Sequence, residues 1–130
     1  MTLQESQRLG AISQELTHIG SWVFYIPTRK FVWSDEMYRL LGRDPVLGPA
    51  HFPEGLRHIL HTDDWTRLHE LEKRVAQGGE KFEIVLSFKR SNGQWRRGIS
   101  KITVQRVQNG SVVHVLGTLQ DTTDINLEEI

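Results

Sequence analysis

From Lys81 to Gln120 apolar and polar residues alternate in three long runs joined by tight turns, and no other feature of the sequence limits the fold so strongly. "KFEIVLSFKR" sets Phe82, Ile84, Leu86 and Phe88 on one face and Glu83, Val85, Ser87 and Lys89 on the other, the period of two expected of a strand. "SNGQ" is a hairpin turn, "WRRGISKITVQR" runs back, "VQNG" turns again, and "SVVHVLGTLQ" is a last strand. The second half of the chain is therefore read as an antiparallel meander.

A second hairpin is expected near the N-terminus. "SWVFYI" alternates with Trp22, Phe24 and Ile26 on one face, "PTRK" turns, and "FVWS" returns. Between the two hairpins the pattern turns helical. Ser34 or Asp35 caps "DEMYRLLG", which Gly42 closes. Residues 43–53 hold three of the four prolines and read as a loop with room for one helical turn. "EGLRHIL" is a short helix, and a longer one starts near Thr62, with Trp65, Leu68, Leu71 or Glu72, and Val75 on one side and Gly78-Gly79 as its stop. Ahead of the first strand, Leu9, Ile12, Leu16 and Ile19 recur at spacings of three and four, a narrow stripe on an otherwise polar helix that Gly20 ends. The expected class is α+β: a five-stranded antiparallel sheet with short helices on one face, plus an N-terminal amphipathic helix.

Composition excludes several functions. Sixteen basic and sixteen acidic residues give a net charge of zero, without the basic excess of a nucleic-acid binder. Lys89, Arg90, Arg96 and Arg97 cluster near one hairpin and read as a solvated strand end. The chain has no cysteine, which removes disulfides, thiolate metal sites and cysteine nucleophiles and suits a cytoplasmic setting. No apolar run approaches the ~20 residues of a membrane span, so no membrane contact is expected.

"HTDDW", residues 61 to 65, admits three chemistries. A metal site would recruit His58, His61 and Asp64, yet a helix start between them breaks the common face, and no second cluster completes the shell. A catalytic site would need a nucleophile with an orienting base, and none is evident. A helix start needs only Thr62 or Asp63 as cap, with Asp63 and Asp64 in a first turn where the dipole favours them by about 0.3–1 kcal/mol each. The helix start is the preferred reading, and the chain is not expected to be an enzyme.

Five pieces in order, "IGSWVFY", "VWSDEMYRLLGRDP", "ILHTDDW", "SNGQWRR" and "GTLQDTTDI", resemble the PAS family of sensory domains, in the branch found beside bacterial sensor histidine kinases and cyclic-dinucleotide enzymes. The resemblance covers residues 19 to 125. It departs at Tyr25, where the family often has aspartate, at Arg29 in place of a turn glycine, and at Thr62 in place of proline. It implies the PAS fold, with residues 1–19 as a packing or dimerisation helix, 20–122 as the core, and 123–130 as the start of an output helix. That helix, ending in Glu128 and Glu129, is expected to continue in a longer parent chain, a two-component histidine kinase or similar, with its effector domain C-terminal.

The resemblance also implies a pocket between the inner sheet face and the helices. Alternation assigns to it Trp22, Phe24, Ile84, Leu86, Phe88, Gly98, Ser100, Ile102, Val115, Gly117 and Leu119, with Met37, Leu40, Ile59, Trp65 and Leu68 from the helices. Gly98, Ser100 and Gly117 favour a cavity over a filled core because they remove volume from a bulky set. The ligand is an unknown small molecule, and no cofactor is required. Cysteine-adduct flavin photochemistry is excluded, flavin without an adduct is not, and His69 is the candidate ligand for a haem. On the outer face Val23, Val85, Trp95, Ile99 and Leu116, with the stripe of Leu9, Ile12, Leu16 and Ile19, are expected to form a homodimer interface. Asp121 and Thr123 match the family's junction between last strand and output helix. The alternatives to a ligand-binding sensor are a haem- or flavin-bound gas or redox sensor and a ligand-free structural dimerisation domain.

Overall fold

The computed structural model describes residues 2–5, 8, 17–51 and 54–124. Strands β1 (Ile19–Tyr25) and β2 (Lys30–Trp33) form the first hairpin, and β3 (Lys81–Lys89), β4 (Trp95–Arg106) and β5 (Val112–Asp121) form the meander. β1 pairs antiparallel with β5, so the two hairpin systems join in one sheet of order β2-β1-β5-β4-β3. Between β2 and β3 lie helix α1 (Asp35–Leu41), two 3-10 turns (Pro45–Leu47 and Glu54–His58) and helix α2 (Thr62–Ala76).

Strand register carries the inner-face alternation across the sheet. Trp33, Trp22, Gly117, Ile102 and Phe82 form one transverse row, and Leu119, Ser100 and Ile84 the next. The buried core gathers on this face around Trp33, Met37, Leu41, Ile84, Leu86, Phe88 and Leu119, with Phe88 wholly enclosed.

α1 begins and ends as its sequence dictates. The Ser34 hydroxyl accepts from Met37 N at 3.2 Å and from Ser21 N at 2.9 Å, so one side chain caps the helix and ties it to β1. Gly42 closes the helix in the left-handed region at φ 64°. The basic cluster is partly structural: Arg90 donates from Nε to Leu40 O and from Nη2 to Arg39 O, satisfying the end of α1.

Two expectations at the N-terminus are corrected. Gly20 does not end a helix; it lies inside β1, where a Cβ would stand 2.7 Å from Met37 Cα, so its small size admits the α1 backbone. The turn into the sheet is His18, at φ 55°, and Ile19 is a strand residue paired with Gln120. Leu9, Ile12 and Leu16 lie outside the described residues.

"HTDDW" holds a second correction. The N-cap of α2 is His61, whose Nδ1 accepts from Asp63 N at 3.2 Å, and Thr62 is already helical. Asp63 is exposed in the first turn, but Asp64 is only 2 % exposed. Asp64 Oδ2 accepts from Ser87 N at 2.7 Å, and Oδ1 accepts from Arg67. Nearby, Lys89 N donates to Ile59 O and His61 N to Ser87 O. Residues 59–64 thus satisfy the free edge of β3, which would otherwise present unpaired backbone groups.

Candidate functional site

α2 meets the sheet only loosely. Trp65, Leu68, Leu71 and Val75 form its apolar stripe, yet each is only partly buried, and Asp64 is its sole buried residue. The space beneath the stripe is a cavity of about 410 Å³, within the range of about 300–1,000 Å³ typical of small-molecule sites. A partly buried apolar stripe over an open space of this size, with only Leu68 and Leu71 packed against the core cluster, leaves the core incompletely filled.

Its wall draws Trp22 and Phe24 from β1, Ile84, Leu86 and Phe88 from β3, Ser100 and Ile102 from β4, and Val115 and Leu119 from β5. Met37, Ile59, Trp65 and Leu68 close it from the helical side. Leu40 and Gly98, expected on the wall, are not there. Met37 and Leu41, four residues apart on α1, take the inward face, and Leu40 is buried to one side. Gly98 lies under Leu119 and Phe88, whose atoms stand 2.9 and 3.1 Å from where its Cβ would be. Gly117 likewise lies under the Trp22 indole, whose Cζ2 would meet a Cβ there. These glycines admit neighbouring rings and do not create the void. Ser100 is on the wall, its hydroxyl donating to Thr118 O at 2.8 Å.

The alternation of β2 assigns two wall residues that the inner-face reading of the sequence passed over, Phe31 and Trp33. Phe31 is the hub of an edge-to-face cluster, with ring centroids 5.9 Å from Trp22, 5.8 Å from Phe24 and 5.8 Å from Trp33. Trp33 Nε1 is buried and makes no hydrogen bond among the described residues.

Apart from Ser100, the polar lining is exposed and stands at the rim. Arg29 comes from the β1–β2 turn, and His69 and Glu72 from α2. His69 is 58 % exposed, its Nδ1 3.6 Å from Glu72 Oε2 and its ring 5.5 Å from that of Trp65. A rim position with the ring turned to solvent and to Glu72 does not fit an axial ligand for a haem held inside. Among the described residues no group of three or more His, Asp or Glu side chains is placed to hold a metal ion. None of their helices is long and apolar enough to cross a membrane.

The junction after β5 is tied down at several points. Asp121 Oδ2 accepts from Arg96 Nε at 2.8 Å, and Oδ1 accepts from Thr123 N at 2.9 Å. Arg97 N donates to Thr123 Oγ1, and Thr122 N to Arg97 O, each at 2.8 Å. Asp121 N donates to His18 O at 3.4 Å, so the chain enters and leaves the sheet side by side. Burial alone would raise the Asp121 carboxyl, but the hydrogen bonds from Arg96 and Thr123 outweigh it and hold it below its ordinary 3.8. The Arg96 guanidinium is raised in turn, first by its hydrogen bond to Asp121. A carboxylate with a depressed pKa contributes stability that is complete above its unfolded value and lost as pH falls through the lower folded value. Asp121→Asn is therefore expected to lose about 1 kcal/mol at neutral pH. It should also flatten the stability profile below pH ~4 relative to wild type, which urea titrations across acid pH will show.

On the outer face, Ile19, Gln120, Ile99 and Val85 share one transverse row, and Val32, Val23 and Leu116 another. Val85 and Trp95 are about half exposed. Trp95 also contacts the His61 ring and lies beneath Lys89 Nζ.

Comparison with known proteins places this geometry. The model for the PAS fold matches residues 30–119. An RNA-binding light-oxygen-voltage receptor is 24 % identical with a TM-score of 0.67, over 82 % of this chain and 30 % of its own, so the chain spans under a third of that protein. A sensory box histidine kinase/response regulator from Burkholderia thailandensis E264 is 18 % identical with a TM-score of 0.69, covering 91 % of this chain and 87 % of its own. The N-terminal domain of a diguanylate cyclase with a PAS/PAC sensor, from Marinobacter aquaeolei, is 18 % identical with a TM-score of 0.68, over 86 % and 99 %. No curated protein matches the sequence significantly.

Proposed function

The chain belongs to the PAS fold family, and on that footing we propose that it is the ligand-binding sensory and dimerisation module of a larger signalling protein, such as a sensor histidine kinase. It is a PAS-type sensory domain related to those of kinases and light-oxygen-voltage proteins. The observation that carries the ligand-binding part is the open apolar cavity under a partly buried α2 stripe. Cysteine-adduct flavin chemistry is excluded, because the chain has no cysteine. The ligand is a small molecule of largely apolar surface, since the interior offers almost no unengaged polar side chain.

The route from cavity to output is short. Val115 and Leu119 wall the cavity, and Asp121, two residues after Leu119, anchors the exit of the chain. A ligand shifts that exit only if it binds two arrangements of the junction with different affinity. Amide hydrogen exchange with and without saturating toluene tests the reading. Protection should change at Arg97, Thr122 and Thr123 as well as around the cavity. A change confined to the cavity wall would leave a binding protein without an output and would contradict the sensory role.

The homodimer forms through the outer sheet face, with Ile19, Val23, Val85, Trp95, Ile99 and Leu116. Exposed apolar side chains on that face support it. Light scattering of the intact chain should give a dimer, and a monomer at high concentration would refute this part.

A further inference from the structure

We propose that the cavity selects a lipophilic carboxylate, whose hydrocarbon body lies against the apolar wall and whose carboxylate meets Arg29 at the mouth. The inference deepens the ligand-binding reading above and rests on it.

The interior is apolar. Among the described residues no asparagine, glutamine, threonine, lysine or aspartate lines the cavity, and the Ser100 hydroxyl already donates to Thr118 O. A heterocycle with several buried donors and acceptors, the pyrimidine edge of a flavin among them, would leave them unpaired, at a cost for each group. Apart from the buried Trp33 Nε1, which makes no hydrogen bond among the described residues, the interior meets a ligand with hydrocarbon, so the enclosed part of the ligand is largely hydrocarbon, aliphatic or aromatic.

Arg29 is a wall residue, and its guanidinium lies over the Phe24 ring at 5.6 Å from the centroid. Phe24 is itself a buried wall residue, so this contact keeps the cation beside the opening. The Arg29 backbone is left-handed, at φ 57°, a conformation glycine adopts without penalty and arginine does not. A side chain is thus kept at the opening where glycine would serve the turn better. Arg29 makes no ion pair among the described residues, and Glu72, also in the lining, faces the His69 ring at 3.6 Å. The charge of Arg29 does reach Glu54, whose carboxyl is lowered first by its own backbone N–H and by His51, and only last by Arg29. Arg29 is therefore the cation of the lining that has no ion-pair partner among the described residues, and an arginine fork suits a carboxylate.

Decanoate, decanol and decylamine, titrated below their micelle concentrations, separate the outcomes. Binding reads out in tryptophan fluorescence, because Trp22, Trp33 and Trp65 all line the cavity. Decanoate should bind about five- to tenfold tighter than decanol. Arg29→Gln should erase that preference and leave decanol affinity unchanged, which also shows that the variant is folded. Arg29→Gly, which relieves the left-handed strain, should do the same in a chain at least as stable. Equal binding of decanoate and decanol, tighter binding of decylamine, or a preference that survives both substitutions would overturn the carboxylate inference while the ligand-binding reading stands. If none of the three binds, that reading fails as well.

Discussion

Asp64→Ala is expected to destabilise the domain by about 2–3 kcal/mol. The carboxylate is 2 % exposed and bonds both Ser87 N and the Arg67 side chain. Its removal strands the Ser87 N–H on the edge of β3 and leaves Arg67 without its acceptor. The Coulombic part of the loss is modest because Arg67 is 51 % exposed. The larger effect comes from the weakness of the rest of the α2 attachment, since the apolar stripe of that helix rests over open space. Asp64→Asn, which keeps one acceptor, should recover about half of the loss. Urea denaturation measures both variants. Amide exchange should show Ser87 and the first turn of α2 opening below the global unfolding energy, and a uniform loss of protection would argue against a local anchor.

Phe88→Ala should cost about 3–5 kcal/mol. The ring is wholly enclosed, stands 3.1 Å from the Cβ position of Gly98, and forms part of the cavity wall. Its removal joins new volume to space that is already open, so the void has no neighbour poised to collapse into it. The variant should therefore lie at the upper end of that range while accepting larger apolar ligands than wild type. A cost below about 1.5 kcal/mol would mean that the cavity walls relax inward, and the cavity would then be no fixed binding site.

Much of this could be read from the residues alone. Alternation in the meander fixed which side chains of β3 face inward, and Ser34 and Gly42 bounded α1 as their capping chemistry requires. The errors have a common physical origin. Gly20, Gly98 and Gly117 look alike in sequence as a helix stop and as missing volume, but each admits a specific neighbour across the fold, the α1 backbone, Phe88 with Leu119, and Trp22. Only the packing shows which. Asp64 reads as one more acidic residue in a first turn, because nothing local indicates that Ser87, 23 residues away, donates to it. Arg29 was legible only as a departure from a turn glycine, and its place at the mouth follows from a left-handed backbone that the sequence does not declare. Phe31 and Trp33 were within reach of the same alternation that assigned Trp22 and Phe24.

Ligand binding by this domain requires an open apolar cavity within the folded core. Xenon, which enters dry apolar cavities without demanding any polar partner, tests this most directly when methyl resonances are followed in solution under rising gas pressure. Saturable shifts should concentrate on Leu68, Ile84, Ile102 and Leu119, with the outer-face methyls of Val23, Val85 and Ile99 unmoved. Weak, linear shifts spread over both faces of the sheet would show that the core is filled, and the ligand-binding function proposed here would have no site.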